Sequence, residues 1–346
     1  MSKNTLRLLT ILLAVALILS GCGRQAVKTP EASTTPVASA TPEVSATPDI
    51  VTEPANTPKP DEPIRDNDGP VFMWEVQGKD GQGKLYLLGS IHAGNNSLYP
   101  LDKTIIDAFE ASDVLAVECD VTTQLQRPNL AEIMRMVMYT DGTTLKDHIS
   151  PELYEKTAEI LQKNGMPIDL VKIYKPSVVS SMILQFYMED WGYDPNSGID
   201  IHLIGKAKEK GMPVVEIESL EFQYSLLGGF NDTIQEMQLE SCVNGELDAS
   251  KEYLDQMFEL WLKGDAEGLE TLLEQEDDSL TPELMEAYKE YEKAMYDDRN
   301  DQMTLKAEEY LQTGDVYFFV VGSAHMVGES GIVEQLRSKG YTVTQQ

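Results

Sequence analysis

Hydrophobic and polar positions divide the chain into three unlike stretches. Residues 8–19 are almost uninterruptedly apolar, residues 23–70 hold few large apolar side chains, and from 71 onward short apolar runs alternate with helix-period segments. In the third stretch, apolar runs at 71–77 and 84–88 flank Lys79-Asp80-Gly81-Gln82-Gly83 and predict a β-hairpin. A helix is expected at 102–110 and a short buried strand at 114–118. Pro151 with Glu152 opens a helix that ends near Gly165. Residues 176–190 and 200–210 read as helices, the second stopped by Gly211, and 213–217 as a strand. Residues 219–312 are mostly helical in pattern, with breaks near Gly245, Gly264 and Pro282. A strongly apolar strand at 315–321, a helix at 329–339 stopped by Gly340 and a strand at 341–344 close the chain. Strands at both ends of a long helical block predict a mixed α/β (α+β) fold. Its core would be a central mixed β-sheet flanked by helices, with a large helical insertion.

The apolar run at 8–19 is too short to span about 30 Å of hydrocarbon as a helix. With Lys3 and Arg7 before it, it suits the hydrophobic region of a signal peptide. Leu19-Ser20-Gly21-Cys22 resembles a bacterial lipobox, which predicts cleavage after residue 21 and lipidation of Cys22. Nine of the 17 prolines fall within 23–70, and Pro30, Pro36, Pro42, Pro48 and Pro54 recur every six positions. Residues 22–70 are therefore expected to be a lipidated cysteine and a Thr/Pro-rich tether, biased to polyproline II, carrying a folded unit at 71–346. The expected location is the outer face of a bacterial membrane.

Composition narrows the classes. A chain that is 42% hydrophobic can fill a core, and with one short apolar run it is not a multi-span membrane protein. A formal net charge of −31 argues against nucleic acid as a partner. Residues 232–310 hold 24 acidic against six basic side chains. Such a run reads either as solvated helix faces or as a surface that repels anions and steers cations. Three cysteines are too few for a disulfide scaffold.

Two copies of one short motif carry the candidate chemistry. Leu87-Leu88-Gly89-Ser90-Ile91-His92 and Val320-Val321-Gly322-Ser323-Ala324-His325 each run an apolar strand into Gly-Ser-x-His, and together they use two of the four histidines. Glycine allows a turn or a close approach where the strand ends, and the carboxyl edge of a sheet is where ligands bind in open α/β folds. Side by side, two such edges would bring His92 and His325 together. Glu118 follows the apolar run 114–117 and is expected at the same edge as a third metal ligand, or as the base for a metal-bound water.

These motifs, with Glu118 between them, resemble the TraB/GumN (Tiki-like) family. The pieces that match in order are Leu98-Tyr99-Pro100-Leu101, Lys175-Pro176, Gly198-Ile199-Asp200, Ile217-Glu218-Ser219 with Gln223, Asp298-Arg299-Asn300 and Gly340-Tyr341. The resemblance covers 71–346. It implies a metal-dependent hydrolase, with peptidase activity foremost, whose two GxxH histidines and acidic residue hold Mn or a Co-like metal, zinc being the alternative. Other members are associated with peptide-pheromone control, and distant relatives with haem binding or ester hydrolysis.

On that reading His92, His325 and Glu118 are the metal ligands. Glu118 or Glu218 shuttles the proton, and Arg299 holds a substrate carboxylate or the oxyanion. Glu218 is equally a helix cap, and Arg299 equally a salt bridge in an acidic region. Ser90 and Ser323 read as small turn residues, and His148 and His202 as structural. Cys119, next to Glu118, is a small buried residue or a disulfide partner of Cys242, with a thiolate metal ligand the remaining reading. The Met-rich runs fill core or line a groove for an apolar peptide. A peptide or protein is the expected substrate and the membrane the expected anchor. The alternatives are a non-catalytic extracellular peptide- or haem-binding protein, and a metal-free esterase-like hydrolase using histidine as base.

Overall fold

The apolar runs become six strands of one sheet: β1 (Met73–Gln77), β2 (Lys84–Ser90), β3 (Val114–Val117), β4 (Val214–Glu216), β5 (Val316–Gly322) and β6 (Thr342–Gln345). The computed structural model of the chain describes Arg65 and residues 69–346, apart from 80, 82, 96, 246 and 275–280. The expected leader at 1–21, Cys22 and the tether, except Arg65, Gly69 and Pro70, lie outside the described residues. Arg65 already pairs its backbone with the Asp102–Lys103 turn, six residues before the expected start of the folded unit. Among the described residues, no helix is long and apolar enough to cross a membrane.

The strand order is β4-β3-β5-β2-β1-β6. β4, β3, β5 and β2 run parallel, and β1 and β6 add an antiparallel flank. Sequence pattern explains the placement. β5 is apolar without alternation and lies at the centre, where Phe318 to Val321 are wholly buried on both faces. β6 alternates Thr and Gln with Val and forms an edge. The hairpin, the mixed sheet and the closing strand are as the pattern predicts.

Twelve α-helices surround the sheet among the described residues. α1 (Lys103–Glu110) joins β2 to β3. α2 (Leu130–Met136), α3 (Pro151–Lys163), α4 (Pro176–Asp190) and α5 (Ile199–Lys210) lie between β3 and β4. The insertion before β5 contains α6 (Leu220–Gly229), α7 (Asp232–Asn244), α8 (Leu247–Leu262), α9 (Ala266–Leu273), α10 (Pro282–Glu292) and α11 (Asp298–Tyr310). α12 (Ile332–Ser338) precedes β6. Three features differ from the sequence expectation. α2 forms in the Met-rich run, where Met134 packs on a small cluster built from Ile133, Val137, Leu220 and Tyr224. The insertion also breaks at Asn231, whose side chain accepts from Ile234 N–H and so starts α7. Finally, α10 and α11 are joined by a π-helical turn over Lys293–Asp297. The extra residue of such a turn rotates everything after it about the helix axis.

α8 is pinned to the sheet edge by Trp261, whose indole N–H donates to the carbonyl of Gly89 at 2.6 Å. Trp261→Phe keeps an aromatic ring but loses part of the indole volume and leaves that buried carbonyl short of a donor. The expected loss is about 1–3 kcal/mol of stability. Urea unfolding should show a lower midpoint at unchanged slope.

Candidate active site

Register decides what meets what. β2 and β5 are parallel neighbours, with Gly89 beside Val321 and Ser90 beside Gly322. Both GxxH turns therefore leave the same sheet edge, one residue out of step. β3 flanks β5 on the other side with Val117 beside Val320, so Glu118 emerges next to Gly322. β4 follows, and Glu218 N–H donates to the Glu118 carbonyl at 2.9 Å, extending the pairing past the strands. Four parallel strand ends thus bring His92, His325, Glu118 and Glu218 together, and Arg299 reaches them from the start of α11.

Glu118 is the hub. Its Oε1 accepts from Gly322 N–H at 2.7 Å and lies 4.0 Å from His325 Nε2. Its Oε2 accepts from Arg299 at 2.7 Å and from Gln223 Nε2 at 3.2 Å. Burial alone would raise the carboxyl, but the charge of Arg299, joined by the two histidines and the Gly322 N–H, holds it at about 2. Arg299 also grips Glu218 with a fork, Nε to Oε1 and Nη2 to Oε2, each 2.9 Å, while Nη1 donates to the Met295 carbonyl. All three guanidinium nitrogens of this buried side chain already donate within the protein. That geometry favours a structural counter-ion over a free clamp for substrate.

Each imidazole is anchored through Nδ1. His92 Nδ1–H donates to Asp200 Oδ2 at 2.8 Å, and Ser90 Oγ donates to the other oxygen of that carboxylate, also at 2.8 Å. His325 Nδ1–H donates to Asn300 Oδ1 at 2.6 Å. Asn300 Nδ2 donates to the Ser330 carbonyl at 2.9 Å, which fixes the amide orientation and so the tautomer of the ring. With Nδ1 donating, the Nε2 of each ring carries a lone pair when that ring is neutral. Burial and then the charge of Arg299 push the His325 ring down to about 3, so it is neutral; Glu118 opposes them, and His92 adds a smaller push downward. Burial also works against a charged His92, but the charge and hydrogen bond of Asp200, with Glu118, outweigh it and raise that ring.

The two glycines of the motif do different things. A Cβ on Gly89 would lie 2.6 Å from the Phe72 ring and 3.0 Å from Ser323 Cα, so this glycine lets core atoms close in. A Cβ on Gly322 would lie 2.9 Å from His92 Nε2, 3.4 Å from Glu118 Oε1 and 3.6 Å from His325 Cδ2. Gly322 therefore keeps open the space that the three candidate ligands face. Beside it, His92 and His325 line a cavity of about 40 Å³ together with Met257, Met295, Tyr296 and Arg299, while Glu118 and Gly322 are not in its wall. Among the described residues, no group of three or more His, Cys, Asp or Glu side chains, His92, His325 and Glu118 included, stands close enough together to hold a metal ion.

Three partners that sequence reasoning quoted without a role are Asp200, Gln223 and Asn300. Gly198 was the available signal for the first. A Cβ there would meet the His92 carbonyl at 2.4 Å, so only glycine lets the start of α5 abut the first GxxH turn and present Asp200 to it. Asn300 adjoins Arg299 in the chain, and both are buried at the site, directly after the π turn. Cys119 and Cys242 are free buried thiols in separate apolar clusters, so the disulfide reading is corrected. Cys119 Sγ donates to Gln223 Oε1 at 3.0 Å, and burial, with Glu118 next, raises this thiol well above its usual range. The other two histidines lie outside the cluster. His148 stacks on Tyr139 at 4.0 Å, and His202 packs on Tyr99 at 4.6 Å, with burial lowering its ring to about 4.

Over 261 residues the chain is 26% identical to the uncharacterized protein YbaP of Escherichia coli (strain K12), covering 74% of this chain and 89% of that one. YbaP of Shigella flexneri matches at the same identity and coverage. No solved structure matches. The sequence model of the TraB/PrgY/gumN family matches residues 72–345, the whole of the sheet and its helices, and the chain belongs to that family.

Proposed function

We propose that this chain is a metal-dependent hydrolase acting on peptides, exported and tethered to the outer face of the membrane through a lipid on Cys22. One observation carries the chemical part: two imidazole Nε2 lone pairs and one carboxylate oxygen border a space kept clear by Gly322. The donor types, two imidazoles and a carboxylate, suit a divalent cation, and the three side chains would have to close in around it. Both rings are oriented through Nδ1 by a carboxylate or an amide, the usual outer support of metal-ligating histidine. His92, His325 and Glu118 would hold the ion, with Mn or a Co-like metal favoured and zinc the alternative.

A bound divalent ion would supply an acidified water and a polarised carbonyl. The chain's own residues do the rest. Glu118, held ionised by Arg299, is a better ligand than base. Glu218 is tied to Arg299 through both oxygens and keeps that guanidinium in place. Met257, Met295 and Tyr296 cover the cavity and limit water. A second reading has one specific support. The Asp200–His92 pair is the arrangement that orients a general base, which would serve a metal-free hydrolysis.

The test is titration of the full-length chain with Mn, Co and Zn, beside cleavage of a mixed peptide library with and without chelator. One equivalent of metal and chelator-sensitive cleavage are expected. Asp200→Ala and Asn300→Ala should each weaken metal binding by about 10–100-fold. Cleavage that survives chelation would favour the metal-free reading. Absence of stoichiometric metal in the wild type would remove the ligand assignment.

A further inference from the structure

The cavity lined by His92 and His325 is small, about 40 Å³. An extended substrate would also occupy an adjoining space. A second, larger cavity of about 470 Å³ stands beside it and shares two wall residues with it, Tyr296 and Ala324. Asn300, which orients His325, also lines this chamber. Tyr296 is the partition: its ring centroid is 5.6 Å from that of His325, and it sits in the π turn between α10 and α11.

The chamber has one kind of chemistry. Tyr288, Tyr296, Leu273 and Val327 give it aromatic and aliphatic surface, and Glu270, Glu274, Glu292, Asp297 and Glu329 give it carboxylates. Among the described residues, no Lys, Arg or His side chain is in its lining. We infer that this chamber is the substrate subsite of the proposed hydrolase and takes a basic side chain, an ammonium or guanidinium on an aliphatic stem, next to the reacting bond. An apolar stem packs on the tyrosine and leucine surface while its cation meets the carboxylates, a division of labour suited to lysine or arginine. Burial, with the charges of Glu274, Glu267, Glu329 and Glu334, holds the Glu270 carboxyl above its ordinary range, a repulsion that an arriving cation relieves. The acidic surface of the insertion adds attraction at longer range.

The substrate class rests on the hydrolase reading, but its test does not. Binding is measured by calorimetry on the full-length, chelator-treated chain at low salt. The probes are the tripeptide amide Gly-Lys-Gly, its norleucine counterpart and spermidine. The lysyl peptide should bind about tenfold tighter than the norleucine peptide. Glu270→Gln with Glu329→Gln should erase that gap. Glu155→Gln with Glu159→Gln, an equal change of charge on the exposed face of α3, should leave it intact. Spermidine tighter than the lysyl peptide would mark a free amine as the ligand, and the reverse order a polypeptide; either supports the cation chemistry. Equal binding of lysine and norleucine overturns the proposal, and so does a gap reduced equally by both double variants, because that is attraction to net charge alone. Loss of peptide cleavage with this binding pattern intact would reject the hydrolase and keep the subsite.

Discussion

Arg299→Met should destabilise the folded chain by about 3–5 kcal/mol, the range seen when one partner of a buried ion pair is removed. Arg299 is 4% exposed, and the two carboxylates it joins are nearly as deeply buried. Methionine supplies similar length and apolar volume, so the loss reports charge rather than a cavity. Glu118 would keep only the Gly322 N–H and the Gln223 amide as direct donors. Glu118→Gln with Glu218→Gln in the same chain should return much of the stability, since no buried anion is then left without its cation. Urea unfolding of the three proteins checks this. A loss below about 1 kcal/mol in Arg299→Met would show that the guanidinium is not committed to these carboxylates and is free for substrate, as the sequence alone allowed.

The pH dependence of the metal-free proteins follows from the same pair. In the wild type the folded value of Glu118 is about 2, below the ordinary glutamate value of about 4.3. Its contribution is therefore complete above the unfolded value and is lost as pH falls toward 2. Without Arg299, burial dominates and raises the folded value above the unfolded one, so the contribution reverses and stability drains as pH rises. The difference between wild type and Arg299→Met should be largest near neutral pH and shrink toward pH 3.

Much of this site is legible in the sequence because it is made of strand ends. An apolar run followed by a polar residue identifies both the strand and what leaves it, and that logic places His92, Glu118 and His325 at one edge before any coordinates. The helix-borne half is not legible in that way. Arg299 and Asn300 are consecutive, yet both turn inward after a π turn that no propensity announces. Asp200 reaches His92 because Gly198 permits a backbone approach, a long-range contact that composition and periodicity do not encode. The charge run at 232–310 marked an acidic surface but not the chamber, which needs α9, α10 and the loop after His325 to meet.

The sharpest separation of fold from function comes from making one substitution in both copies of the motif. Gly322 has φ −50° and ψ 139°, which alanine adopts without strain. Its new methyl carbon would sit 2.9 Å from His92 Nε2, a ring that cannot simply swing away while Nδ1 is bonded to Asp200. It would also stand within 3.4 Å of Glu118 Oε1, filling the space between the ligands. Gly322→Ala should therefore stay folded, at a cost of about 1–3 kcal/mol from overpacking, and bind no stoichiometric Mn or Co. In Gly89→Ala the methyl meets the Phe72 ring and the Ser323 backbone instead, and overpacking of that kind costs about 1–3 kcal/mol. Its metal site should persist in the molecules that remain folded. Metal titration and urea unfolding on both variants distinguish the two roles. A Gly322→Ala protein that binds metal as well as wild type would place the ion elsewhere than between His92, His325 and Glu118, and would leave Gly322 as a packing residue like its counterpart.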